Sequence, residues 1–379
     1  MASAFGEIAS LSELQRMAAQ REIDAKLKVK ARDGFEVRNV YDEGRRQIED
    51  HTGARPLTGD PVLETELTLI SDVGPVYRGR RATDLAETST LESVATLLWA
   101  SPDDPFADNI PRDPPAMPKG LAPLDRLMMA LAAWPLQDKA AFTLAPRLLQ
   151  SKGAALLRYG VAALLDQHPV AVPIHTQIAD AFKVSARAKN MIRAALVLCA
   201  DHELNTSAFA ARCAASTRAP LHAALLSGLG AFAGPRHGAA PDRAAAWLAE
   251  IQSETDIEQA LAERLARGET LPGFGHSVYQ DRDPRADCLM DILFRTEADN
   301  PFVARLPELT TAADGLFGLP PNIDFALAVI QKTYDLPKDA AKIIFCAARI
   351  TGWIAHALEQ YAAHEKIRPR AAYVGERPE

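Results

Sequence analysis

Aromatic side chains are scarce in this sequence, 6% of 379 residues, and β-branched residues are not enriched. A core built from sheets is therefore short of its usual material. Cysteine is scarcer: Cys199, Cys213, Cys288 and Cys346 stand apart, with no C-x-x-C pair. That excludes a disulfide framework, and their Ala- or Leu-rich surroundings read as buried free thiols in a reducing cytoplasm. The histidines are dispersed without an H-x-x-x-H, so no metal site is expected. A G-x-S-x-G elbow, a Walker lysine and a G-x-G-x-x-G after a strand are all missing. No unbroken run of about 18 apolar residues occurs, so no membrane span is expected. The start, MASAFGEIASLSELQ, lacks the basic and apolar runs of a secretory signal. Excess positive charge is lacking too. A net charge of -7 gives no general attraction to nucleic acid or anionic membranes.

What is present is alanine and leucine within a hydrophobic fraction of 48%, against 24% charged. Alanine has the best helix propensity, so the chain reads as mainly α. From about residue 124 helix follows helix, and Ile343, Ala347, Ile350, Ile354, Leu358 and Tyr361 form one apolar stripe at three- and four-residue spacing. A minor β-hairpin near the N-terminus is expected in ELTLISDVGPVYRGRR, residues 66–81, turning at Gly74-Pro75. Ser89 with Glu92 reads as a capping box ahead of LESVATLLW. The prolines of residues 101–123 read as a surface loop. Residues 1–55 carry charge of both signs and few large apolar side chains. They read as an extension in which Leu11, Leu14 and Met17 could line a short amphipathic helix.

Four segments interrupt the helices with polar residues that a core does not call for. Asp201-His202-Glu203-Leu204-Asn205-Thr206-Ser207 looks like a helix N-cap, with His202 either structural or near a substrate carboxylate. Gly234-Pro235-Arg236-His237-Gly238 places His237 on a turn, where it is either solvated or functional. Leu271-Pro272-Gly273-Phe274-Gly275-His276 exposes backbone groups that a nucleotide could use, and His276 with Arg285 could converge on an anion across Asp283-Pro284. Pro321-Asn322-Ile323-Asp324 puts a carboxylate in a first helical turn, a routine stabiliser of the helix dipole. Arg349 lies on or beside an apolar face with no acid one turn away, so a bound carboxylate is a candidate partner. Arg368 and Arg370 sit in a chain end that is either solvated or reaches a neighbouring subunit.

Taken in order, ADHELNTSAFAARCAAST, GPRHGAA, LPGFGHSVYQDRDPRA, PPNIDF, ARITGWIAHALEQ and IRPRAAYVG resemble the motif set of the citrate synthase family. The resemblance covers residues 60–379 and implies a large helical domain (56–228 and 336–379) with a smaller helical domain (229–335). It implies acetyl-CoA and oxaloacetate as substrates, with Asp324 as base, His237 as enol stabiliser and His276 as polariser of the ketone. His202, Arg285, Arg349 and Arg368 would bind oxaloacetate, Arg368 from the partner subunit of a homodimer. Pro272, Gly273, Phe274 and Gly275 would cradle CoA, which is a substrate, and no cofactor is called for.

The sequence departs from the family pattern at Arg236 beside His237, at Ala326, and at Gln280, where many members carry a cation for the CoA phosphate; Arg282 could replace it. The run from PVLETELTLI through VYRGRRATDLAETSTLESVATLLW, residues 61–99, is similar to a subgroup with an N-terminal helix-turn-helix, a pattern that residues 1–55 do not show. A propionyl-CoA-using 2-methylcitrate synthase and a non-catalytic binding protein that retains the fold are the competing readings.

Overall fold

The computed structural model describes residues 63–107, 110–251, 256–279, 281–363, 365–369 and 373–376. The helix expected around Leu11 to Met17, and Gln280 and Arg370, lie outside them. The described residues divide into a helical body, Thr65–Ile367, and a second unit to which residues 368–369 and 373–376 belong. In the second unit Tyr373 Oη donates to the Glu376 carbonyl at 2.7 Å.

The body opens with three short antiparallel strands, β1 (Thr68–Ser71), β2 (Gly74–Tyr77) and β3 (Arg80–Arg81), in that spatial order. Thr68 faces Tyr77 across β1 and β2, and the chain turns at Asp72-Val73. The turn expected at Gly74-Pro75 is therefore two residues early, and the hairpin gains a third strand. Gly74 has φ +94 with Pro284 Cβ only 3.2 Å from where its own Cβ would stand, so this glycine serves the strand start and its packing.

Fourteen α-helices follow among the described residues. They are α1 (Ala82–Thr88), α2 (Leu91–Leu98), α3 (Pro123–Ala133), α4 (Pro146–Leu165), α5 (Ile174–Phe182), α6 (Ala186–Leu198) and α7 (Thr206–Ser216). Then come α8 (Leu221–Phe232), α9 (Ala240–Ile251), α10 (Ile257–Ala266), α11 (Pro284–Thr296), α12 (Pro301–Phe317), α13 (Ile323–Thr333) and α14 (Ala340–Ala363). The chain is mainly α, as its composition implied.

Local chemistry sets the helix starts. Asn205, Asp283, Asn300 and Asn322 each accept a first-turn N–H, satisfying donors that a helix leaves unpaired. The expected cap at Ser89 shifts by one residue: Thr90 caps α2 in a reciprocal pair with Ser93. Glu92 instead accepts from the Ile174 N–H at 2.6 Å, a long-range contact that local spacing does not encode.

Helix α14 organises the body, packing against α2, α4, α6, α7 and α8. It is buried on every side over Ala340–Ala357, a broader burial than the one stripe expected. By length and composition it could cross a membrane, but 89% of its most apolar window is buried inside the body, which marks a core helix. Elsewhere α9 packs on α13 and α10 on α12, while α13 also meets α11 and α14. The polar segments thus lie at the starts of α7, α9 and α13 and in the loop before α11.

Candidate active site

Two loops are stitched together beneath the site. Asn322 N–H donates to the Gly273 carbonyl at 2.8 Å, Gly275 N–H to the Pro320 carbonyl at 2.8 Å, and Asn322 Nδ2 to the Gly275 carbonyl at 2.7 Å. The same Asn322 caps α13 through Oδ1, 2.9 Å from the Asp324 N–H. One side chain therefore fixes the Gly-rich loop relative to Asp324. Gly273 makes this approach feasible: at φ +84, a Cβ there would stand 2.9 Å from Phe325 Cβ. The Pro272–Gly275 stretch, expected to offer free backbone groups to CoA, has Gly273 C=O, Phe274 N–H, Gly275 N–H and Gly275 C=O engaged inside the protein. Phe274 itself is buried against Trp247 and Phe325.

His276 follows this loop. Its Nδ1 accepts the backbone N–H groups of Val278 (3.0 Å) and Tyr279 (3.3 Å). A neutral imidazole with Nδ1 so occupied carries its proton on Nε2, which faces the donor-only Arg285 Nη2 at 3.3 Å without a bond between them. Burial and the neighbouring Arg285 lower the His276 pKa to about 4, so the ring is neutral near pH 7. It is a hydrogen-bond donor without positive charge. His202 lies edge-on to it, ring centroids 5.4 Å apart, with Nε2 3.0 Å from Tyr279 Oη. Burial, Arg285 and Arg349 together hold His202 well below the ordinary imidazole range.

His237 sits on the turn before α9, ringed by Phe232 and Phe345 at centroid distances of 5.0 and 5.9 Å. Burial, then Arg349, lowers its pKa to about 3. Its Nε2 is 2.8 Å from Ser207 Oγ. That hydroxyl accepts from Trp353 Nε1 at 3.0 Å and has two acceptors in reach for its single proton, Asn205 Oδ1 (2.7 Å) and His237 Nε2. Donation to His237 leaves Nδ1–H as the free donor of the ring. Arg236, the unusual neighbour in sequence, is exposed, and the charge that His237 feels is Arg349.

Asp324, half-buried in the first turn of α13, has its pKa raised to about 6. Burial is the main cause, Arg285 opposes it and Asp283 adds to it. The carboxylate is thus a stronger base than an exposed one, yet mostly ionised at neutral pH.

The two arginines differ. Arg285 is clamped by Asp283 through Nε (2.9 Å) and Nη2 (2.8 Å), a pair with both side chains 1% exposed. Burial alone would lower the Arg285 pKa, but Asp283 reverses this and raises it. Asp283 also caps α11 and accepts from the Ile323 N–H at 3.0 Å, tying α11 to the start of α13. Arg349, 3% exposed on α14, has Nε and Nη1 buried without a hydrogen-bond partner, and its guanidinium lies 5.0 Å from the Phe345 ring centre. Burial and repulsion from Arg285 both lower its pKa. Two buried guanidiniums with one paired carboxylate make a place for an anion.

The structure thus brings His202, His276, Arg285 and Arg349 together around one electrostatic centre that His237 and Asp324 also feel. Arg368 is exposed and belongs to the second unit. Arg282 is taken up by Asp287 at 2.7 and 2.8 Å, an exposed pair of small energetic weight. Sequence reading passed over Ser207, Tyr279 and the counter-ion role of Asp283. Only Asp283 carried a signal, an acid directly before Pro284 at a helix start.

The family model for the citrate synthase C-terminal domain matches residues 56–370. The chain belongs to the citrate synthase family. It is a transferase-type condensing enzyme by that membership, and the ordered motifs are those of the family. Citrate synthase 2 of Bacillus subtilis is 28% identical over 361 residues, 86% of this chain and 96% of that protein. The 2-methylcitrate synthase of Shewanella oneidensis is 34% identical over 198 residues, about half of each chain (51% and 52%). A solved ternary complex of carboxymethyl coenzyme A and oxaloacetate with the citrate synthase of Thermoplasma acidophilum shares the fold at TM-score 0.70. Its identity is 24%, covering 84% of this chain and 95% of that one.

Proposed function

We propose that this chain condenses acetyl-CoA with oxaloacetate to give citrate and CoA. The observation that carries this reading is the Arg349 guanidinium, buried with two nitrogens unpaired and feeling the charge of the Asp283-clamped Arg285. A dianion such as oxaloacetate supplies the missing acceptors.

The chemistry follows from the protonation states. Asp324 removes the α-proton of the thioester as His237 donates Nδ1–H to the developing oxyanion; that tautomer calls for Nε2 to accept from Ser207 Oγ, 2.8 Å away, while Asn205 Oδ1 keeps the Ala208 N–H. The enol carbon attacks the ketone of oxaloacetate, whose oxygen accepts Nε2–H from neutral His276. Water then hydrolyses the citryl thioester and releases CoA. His202, Arg285 and Arg349 hold the carboxylates, joined by Arg368 from the partner of a homodimer. The remaining backbone of Pro272 to Gly275 receives CoA, and residues 229–335 act as a small domain closing over the large one to exclude water. The reaction calls on no metal or redox cofactor. Four free cysteines fit a cytoplasmic setting.

The relative from Shewanella oneidensis favours a second reading, propionyl-CoA to 2-methylcitrate. One methylene changes binding by only about 1–3 kcal/mol, so the two substrates can overlap. The test is CoA release from oxaloacetate with acetyl-CoA and with propionyl-CoA, on the wild type and Asp324→Ala. Turnover with either thioester that disappears in the variant is expected. No turnover above the variant with either one leaves a non-catalytic binding protein.

A further inference from the structure

We propose that Asp201, gripped by the β1–β2 hairpin, is a positioning residue that sets His202 and Arg349 for oxaloacetate. The inference rests on the reading of those two residues as oxaloacetate-binding groups.

Asp201 is 1% exposed and directly precedes His202. The Thr68 hydroxyl donates to its Oδ2 at 2.6 Å. Tyr77, the cross-strand partner of Thr68, directs Oη at the carbonyls of Val197 (3.1 Å), Leu198 (3.2 Å) and Asp201 (3.2 Å). Facing residues of one hairpin thus hold the side chain and the backbone of one turn. That turn needs holding: Glu203, the residue after His202, has φ +53, a left-handed conformation that is strained for a non-glycine residue.

The other carboxylate oxygen faces α14. Arg349, Gly352 and His356 recur at three and four residues, which places them on one helix face. His356 Nε2 is 3.3 Å from Asp201 Oδ1, both side chains fully enclosed. Gly352 permits the approach, since a Cβ there would stand 2.4 Å from Asp201 Oδ1 and 2.6 Å from the Ala200 carbonyl. Arg349, one turn earlier, feels the Asp201 charge without reaching it, so Asp201 draws the guanidinium without filling its hydrogen bonds. Burial alone would raise the Asp201 carboxyl, but His356 and Thr68 hold it below the usual range, so it keeps its charge. A long-range counter-charge steadies Arg349 and leaves its donors for the substrate.

The test compares Thr68→Val, which removes the hydroxyl at nearly constant shape, with Thr68→Ser, which keeps it. His356→Gln is the second probe of the same carboxylate, should Thr68→Val not fold. Steady-state KM for each substrate, calorimetric binding of oxaloacetate and thermal melting are read together. Thr68→Val and His356→Gln are expected to raise the oxaloacetate KM and Kd by about 10-fold, with the acetyl-CoA KM within about twofold. Thr68→Ser should return oxaloacetate binding to near the wild-type value. Unchanged oxaloacetate binding in Thr68→Val, with wild-type binding intact, overturns this proposal alone; so does a parallel shift of both KM values that serine does not rescue. Failure of the wild type to bind oxaloacetate overturns this proposal together with the reading of the site.

Discussion

A guanidinium buried with two nitrogens unpaired weakens the fold that carries it, so Arg349 is explained by what it binds. Arg349→Leu is accordingly expected to lose oxaloacetate kcat/KM by about 100-fold or more while the ligand-free melting temperature stays level or rises. Calorimetry on the same preparation checks both halves. Asp324 makes the same trade through protonation. Its folded pKa of about 6 lies above the ordinary value of 3.8, so the folded state holds the proton more tightly. Stability is therefore lost as pH rises from about 4 to 6, by roughly 2–3 kcal/mol, and Asp324→Asn should raise the melting point at pH 7 while lowering kcat about 1,000-fold or more. Activity needs the ionised base, so kcat/KM should fall below about pH 6. His237 and His276, with pKa values lowered to about 3 and 4, are neutral above about pH 5 and add no inflection near pH 6. An acid limb that persists unchanged in an Asp324→Glu variant of shifted pKa would assign it to another group. The sequence exposed Arg349 because no acid lies one turn away. It hid Asp201, because charge pairing across a fold leaves no local spacing, and it showed Asp283 two residues before Arg285 without showing that the two side chains are bonded.

Among elements, the joint between residues 271–276 and 320–325 has the greatest leverage on the chemistry. Gly273→Ala meets both a positive φ and Phe325 Cβ at 2.9 Å. It should cost about 2 kcal/mol or more of stability and, by displacing the start of α13, lower kcat as well. Gly268→Ala is the control: φ is +70, but nothing lies within 4 Å of the added Cβ. It should cost about 1 kcal/mol and leave kcat unchanged. Equal kcat for the two variants would separate the joint from catalysis. The sequence signalled this region through its glycines and prolines, but not its wiring. Asp324 was legible as a first-turn carboxylate, while Asn322, which caps the helix and ties down the Gly-rich loop, reads locally as a cap alone. The hairpin was legible from two short β-like runs around Gly74-Pro75, yet its turn was misplaced because Gly74-Pro75 looks like a turn and instead opens β2 beside Pro284. The α2 cap moved from Ser89 to Thr90 because both residues can cap and tertiary packing decides between them.

For the whole molecule, the helical class followed from alanine content and helical periodicity, and the family from the order of the motifs. The extent of burial did not: α14 carries Lys342, Arg349 and His356, so it reads as a striped surface helix until the helices around it are seen. The same scale governs Arg368, which lies outside the helical body and is exposed in a single chain. If a homodimer completes each site with the partner's arginine, the site residues of one active centre are divided between two chains. Arg368→Ala and Asp324→Ala then each inactivate both sites of their own dimers. In a mixed dimer, one site carries both defects and the other carries neither. Unfolding and refolding the two variants in equal amounts should therefore restore about a quarter of wild-type turnover, since about half of the dimers are mixed and each has one intact site. Turnover of the mixture no higher than that of the separate variants would place Arg368 in its own chain's site or outside catalysis, with the dimer population checked by light scattering on the same samples.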